Sequence, residues 1–66
     1  MDQLDEVSRE YQAARAALEA VRLRLAAAIV AAARDGVRQS DIVRVTGYTR
    51  ERVRQICRSA DVDAEE

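Results

Sequence analysis

The sequence contains no lysine, histidine, proline, phenylalanine or tryptophan, and among its 66 residues stand one cysteine, two glycines and two tyrosines. Each scarcity closes a route. A chain this short buries only about 60% of the surface its unfolded form exposes, and such chains are commonly reinforced by disulfides, a metal or a partner subunit. A lone cysteine, Cys57, forms no internal disulfide, and without histidine the usual zinc ligand sets are incomplete. No metal or other cofactor is therefore expected, and self-association is the remaining reinforcement. Catalysis is not expected either: there is no histidine, no glycine-rich phosphate loop, no carboxylate cluster at ligand spacing, and too little chain to enclose a substrate pocket. By the same token no small-molecule ligand is expected. The longest apolar run, Leu25 to Ala33, falls well short of the roughly 20 residues that span a bilayer. The first ten residues are acidic and lack the apolar core of a signal peptide. These features describe a cytoplasmic protein with no membrane partner.

What is present is unevenly distributed. The formal net charge is -1, and every basic residue is arginine. Residues 1–33 hold four arginines against five acids, residues 34–58 seven arginines against three acids, and residues 59–66 four acids and no base. A segment of net charge +4 thus lies between a segment of -1 and a tail of -4. Such asymmetry bears on partners more than the total does, and it points to a polyanion facing the middle segment.

The absence of proline leaves Gly36 and Gly47 as the punctuation of an otherwise helix-favouring chain. Residues 3–34 are rich in Ala, Leu, Arg, Glu and Gln, with Asp2, Asp5 and Glu6 at the beginning and Arg34 and Gly36 at the end, which predicts one long helix. Leu4, Val7, Tyr11, Ala14, Leu18, Val21, Leu25, Ala28 and Ala32 repeat in heptads along it, as in coiled-coil pairing. A second stripe, Leu23, Ala27, Val30 and Ala33, joins with Ile29 between the two, so this end is expected to be covered on two sides. One cover is the rest of the chain; the other is a second copy, paired through Leu4, Val7, Tyr11, Ala14, Leu18, Val21 and Leu25.

Residues 37–58 run from Val37 through Arg38, Gln39, Ser40, Asp41, Ile42, Val43, Arg44, Val45, Thr46 and Gly47 to Tyr48, Thr49, Arg50, Glu51, Arg52, Val53, Arg54, Gln55, Ile56, Cys57 and Arg58. Gly47 supplies a turn tolerant of positive φ, and Thr49 is placed to cap a following helix. Val53, Ile56, Cys57 and Ala60 fall on one face of that helix, opposite Glu51, Arg54, Gln55 and Arg58. Ile42, Val43 and either Val45 or Thr46 supply the packing side of the preceding one. This stretch, a third of the chain, resembles the helix-turn-helix of bacterial and phage transcriptional regulators and of the promoter-reading region of sigma factors. The matching positions are Gln39, Ile42, Thr46, Gly47, Tyr48, Val53 and Ile56. Two positions depart from the family pattern: Val43 where a small residue is usual, which widens the helix crossing, and Arg38 where a Ser, Thr or Asp cap is usual, which loosens the first helix start. All-arginine, alanine-rich usage is also that of GC-rich coding sequence, as in actinobacteria and their phages.

Together the helix pattern, the heptads and the resemblance predict an all-α fold over residues 1–60, a long helix followed by a helix-turn-helix and dimeric through the long helix, and the charge pattern makes residues 61–66 an acidic, disordered tail. The resemblance implies that the second short helix enters the major groove of double-stranded DNA, with Arg50, Glu51, Arg54 and Gln55 at the base edges. Arginine suits guanine, glutamine adenine, and glutamate the cytosine amino group. Arg38, Gln39, Ser40, Arg44, Thr49, Arg52 and Arg58 are the expected phosphate contacts. Cys57 is read as a small buried side chain rather than a redox thiol, and Tyr48 as packing beneath the turn. The implied role is a small transcriptional regulator, repressor-like, at the nucleoid. Two other roles use the same residues: a module docking an acidic protein such as RNA polymerase, and DNA partition or architecture.

A homodimer reading two half-sites about 34 Å apart fits so small a module. Parallel pairing sets Glu10 against Arg15 of the partner, whereas antiparallel pairing, crossing near residue 16, brings Arg15 to its own copy. The antiparallel form separates the reading heads by about 33 Å at ~1.5 Å per residue. The sequence leaves both arrangements open.

Overall fold

The computed structural model describes residues 1–63 and contains three helices: α1 (Asp2–Arg34), α2 (Gln39–Thr46) and α3 (Arg50–Ser59). The protein is therefore all-α, with one long helix followed by two short ones joined by a three-residue turn. Ala64, Glu65 and Glu66, assigned above to the acidic tail, lie outside the described residues.

Each helix ends where local chemistry stops it. After α1, Gly36 adopts φ 86°, the Gly36 amide donates to Ala33 O (3.1 Å) and the Val37 amide to Ala32 O (3.0 Å). This pair of bonds is a Schellman motif, which satisfies carbonyls that the last turn would otherwise leave open. At the end of α2, Gly47 adopts φ 76°, as its place in the sequence requires. The Thr46 hydroxyl donates to Ile42 O at 2.7 Å and accepts from the Tyr48 amide at 3.1 Å, tying the turn to the helix it leaves. Thr49 caps α3, its Oγ1 accepting from the Arg52 amide at 3.1 Å. Arg38, at the N-cap of α2, makes no side-chain cap bond.

The core is small and lies at one end of the molecule. Ile29 and Ala33 of α1, Ile42 of α2, and Val53 and Cys57 of α3 are buried, with Leu25, Ala32, Val43, Tyr48, Ile56 and Val62 packed around them. Every residue of α1 before Leu25 is exposed. The radius of gyration is 16.0 Å, against about 11 Å for a compact chain of this length, because α1 projects beyond the core along a 52 Å axis.

Several side chains sit elsewhere than the sequence pattern places them. Val45 is 76% exposed, so Thr46 takes the packing position left open between the two. Of the second stripe on α1, Ala33 is buried, as is Ile29 between the stripes, and Val30 is half-buried, but Leu23 is 65% exposed and Ala27 exposed, since α2 and α3 cover only one narrow side. Leu25, read as an interface residue, is half-buried against the chain's own core. The tail does not begin at Asp61. The Asp61 amide donates to Arg58 O (3.0 Å) and the Val62 amide to Cys57 O (2.9 Å), a second Schellman motif with Asp61 at φ 56° and Val62 packed on the core.

Candidate nucleic-acid interface

The turn and the two short helices place a ridge of arginines outward. Val53 (0% exposed) and Cys57 (1%) fix the inner face of α3, and helical geometry then turns Glu51, Gln55 and Arg58 away from the core, with Arg54 on one flank and Arg50 nearest its edge. All four side chains read as base contacts, Arg50, Glu51, Arg54 and Gln55, are exposed, and they share the N-terminal half and middle of one capped helix. The one ion pair between described residues is Arg44 to Asp41 at 3.4 Å, on the surface of α2. Glu51 thus makes no ion pair within α3 among the described residues. Exposed pairs such as Arg44–Asp41 contribute about 0–1 kcal/mol and yield readily to a stronger anion.

The turn region collects a second group. The Arg52 guanidinium lies 5.6 Å from the Tyr48 ring centroid, a cation–π contact that draws it back over the turn. There Arg52, Thr49, Tyr48 and Gly47 line a shallow concavity together with Arg22 of α1. Arg22 was not among the sequence candidates. Its signal was its position: seven residues before Ile29, it falls on the side of α1 that faces the other helices. Thr49 uses one lone pair of its hydroxyl oxygen on the cap and keeps its hydroxyl proton as a donor. Arg38, Ser40 and Arg58 are exposed at the start of α2 and the end of α3.

One expected phosphate contact is corrected. Gln39 is 1% exposed, and its Nε2 donates 3.2 Å to the Arg50 carbonyl. A side chain buried and bonded in this way is out of reach of a phosphate; it holds the start of α3 to the start of α2. Cys57 is buried and free, as its place on the inner face of α3 implies. Tyr48 packs against the core and under Arg52, at the turn where it was expected. Tyr11 is 60% exposed, with the Arg15 guanidinium 5.8 Å from its ring centroid.

At the C-terminal end of α3, Val62 and Asp63 share a concavity with Arg54, Arg58 and Gln39, so an acid stands beside the arginine ridge. Among the described residues no cluster of three His, Cys, Asp or Glu could hold a metal ion, and no helix is long and apolar enough to cross a membrane. Comparison of the chain with protein-family models, with curated proteins and with solved structures finds no match in any of the three.

Proposed function

We propose that the protein binds double-stranded DNA as a homodimer and acts as a small transcriptional regulator at the nucleoid. The observation that carries this reading is α3 itself: a capped helix whose inner face is locked by Val53 and Cys57 and whose exposed side chains include Arg50, Glu51, Arg54 and Gln55. These are the side-chain types whose donors and acceptors match base edges in the major groove. In this reading Arg22, Arg38, Ser40, Arg44, Thr49, Arg52 and Arg58 approach phosphates and set the register, while α1 supplies the dimer contact. The local charge of +4 across residues 34–58 suits a polyanion, and the fold leaves these arginines on the surface.

Selection of bound sequences from random duplex DNA tests the proposal. Enrichment of a two-fold symmetric site with half-sites about one helical turn apart is the expected result. One such site suggests repression, and an array of sites partition or spreading. Failure to enrich any sequence, with binding to duplex no tighter than to another polyanion at the same salt, would overturn it in favour of an acidic protein partner.

A further inference from the structure

On the side of α1 that α2 and α3 cover at Ile29, Arg22 stands at the turn, and beyond it exposed apolar side chains continue towards the N-terminus. At 3.6 residues per turn Leu4, Tyr11 and Leu18 stand on the same side as Ile29, and they are 56%, 60% and 53% exposed. The chain presents 5263 Å² of surface, whereas a compact monomer of this mass presents about 4,200 Å². The excess of about 1,000 Å² is close to what one partner contributes to a standard interface. At the other end of the stripe lies a groove of ≈ 190 Å³ between α1 and α2, almost wholly apolar, with exposed Val45 on its rim. Ala28 and Ala32 belong both to the heptad stripe and to this groove, so the stripe runs into it.

We propose that two copies pair through α1 in antiparallel fashion, crossing near residue 16, so that the first turn of each copy seats Leu4 at the groove of the other. This rests on the homodimer reading above and specifies its geometry. Matched layer by layer, Leu4 of one copy meets Ala28 of the other, Val7 meets Leu25, Tyr11 meets Val21 and Ala14 meets Leu18. Ala14 and Ala28 each face a leucine, which is how facing positions fill a core without voids. A parallel pair in register stacks Ala14 on Ala14, Ala28 on Ala28 and Ala32 on Ala32, sets Tyr11 against Tyr11, and leaves the groove unfilled. Voids left between facing alanines in a seam are destabilising in proportion to their volume.

The flanking charges agree. In the antiparallel register Glu10 of each copy faces Arg24 of the other, two favourable contacts, and Ala17 meets Ala17 at the crossing. Arg15 meets its own copy once, but its guanidinium is turned along its own helix over Tyr11. The parallel register offers two Glu10–Arg15 contacts, so charge alone does not choose between them; side-chain volume and the groove do. The antiparallel form also sets the two arginine ridges at opposite ends of the helix pair rather than side by side.

Engineered cysteines decide the matter, with buried Cys57 retained and the unsubstituted chain as the oxidation control. A disulfide needs Cα atoms within about 7 Å. Antiparallel pairing brings position 17 to its own copy and holds position 4 about 36 Å from its own copy. Under mild oxidation A17C is expected to double in mass on a non-reducing gel, whereas L4C stays at monomer mass while sedimenting as a dimer. The double variant L4C/A28C is expected to cross-link where neither single variant of that pair does. Cross-linking of L4C alone would overturn the antiparallel arrangement and leave the homodimer intact, as would a sedimenting dimer in which A17C and L4C/A28C both fail to cross-link. An unsubstituted chain that sediments as a monomer would remove the homodimer reading itself, whatever its affinity for DNA.

Discussion

The Gln39 side chain, at the first residue of α2, donates a 3.2 Å hydrogen bond to the backbone carbonyl of Arg50, the first residue of α3. This bond joins the starts of the two short helices from inside the core, where Gln39 is 1% exposed. It fixes the direction in which α3 leaves the turn, and with it where the exposed side chains of Arg50 and Arg54 stand. A buried polar group at the beginning of a helix is therefore a positioning element here.

Gln39→Glu tests that role with almost no change of shape. The carboxylate cannot donate to the Arg50 carbonyl when ionised, and burying it charged beside a carbonyl is unfavourable. We expect a loss of about 1–3 kcal/mol in urea unfolding at neutral pH with the slope unchanged. Gln39→Ala should lose stability too. An unaltered midpoint in both would show that the bond does not hold α3.

Most of the architecture was legible in the sequence because its signals are local. Heptad spacing and the absence of proline announce α1, and Gly36, Gly47 and Thr49 mark its end and the turn. What the sequence did not disclose depends on which way a side chain turns once the helices meet. Gln39 is polar and stands where a phosphate contact belongs, yet it is the residue the core requires. Arg22 sits far from the motif, and only the packing of α1 brings it to the turn. Asp61 and Val62 read as the beginning of an acidic tail, because a Schellman motif without glycine leaves no compositional mark.

The C-terminal ends of the two short helices offer opposite mutations. Gly47 has φ 76° and nothing within 4 Å of where a Cβ would stand, so Gly47→Ala meets strain without a clash. Left-handed backbone costs a non-glycine residue about 1–2 kcal/mol, and a thermal melt should show that loss. Asp61 already has φ 56° and also puts a negative charge at the C-terminal end of α3. Asp61→Gly relieves both and should stabilise by about 1 kcal/mol. A melt unchanged or lowered by Asp61→Gly would contradict the cap.

Base reading and phosphate contact separate by their dependence on sequence and salt. Arg54→Ala should weaken binding to the selected site by about 1–3 kcal/mol, relax one base position and change binding to random duplex far less. Arg22→Ala should weaken binding to every duplex alike and lower the slope of log affinity against log salt by about one. Fluorescence titrations over a salt series distinguish the two patterns. Equal losses on selected and random DNA for Arg54→Ala would move that residue from the bases to the backbone.

Leu18 is 53% exposed and lies well before Leu25, where burial begins, so replacing it leaves the core untouched. Leu18→Lys places a charge at the centre of the bare stripe, opposite Ala14 of the second copy, and should yield monomers in sedimentation. The consequence extends to the helix itself. Every residue of α1 before Leu25 is exposed, and a helical segment that protrudes alone is marginal in water, because most helical stability comes from packing an apolar face. The variant should therefore lose helical circular dichroism while keeping the cooperative thermal transition of the small core. The unsubstituted protein should lose the same signal on dilution, with a midpoint that moves with concentration as dimer dissociation requires. A helical signal independent of concentration and of Leu18→Lys would mean that α1 holds its length without a partner.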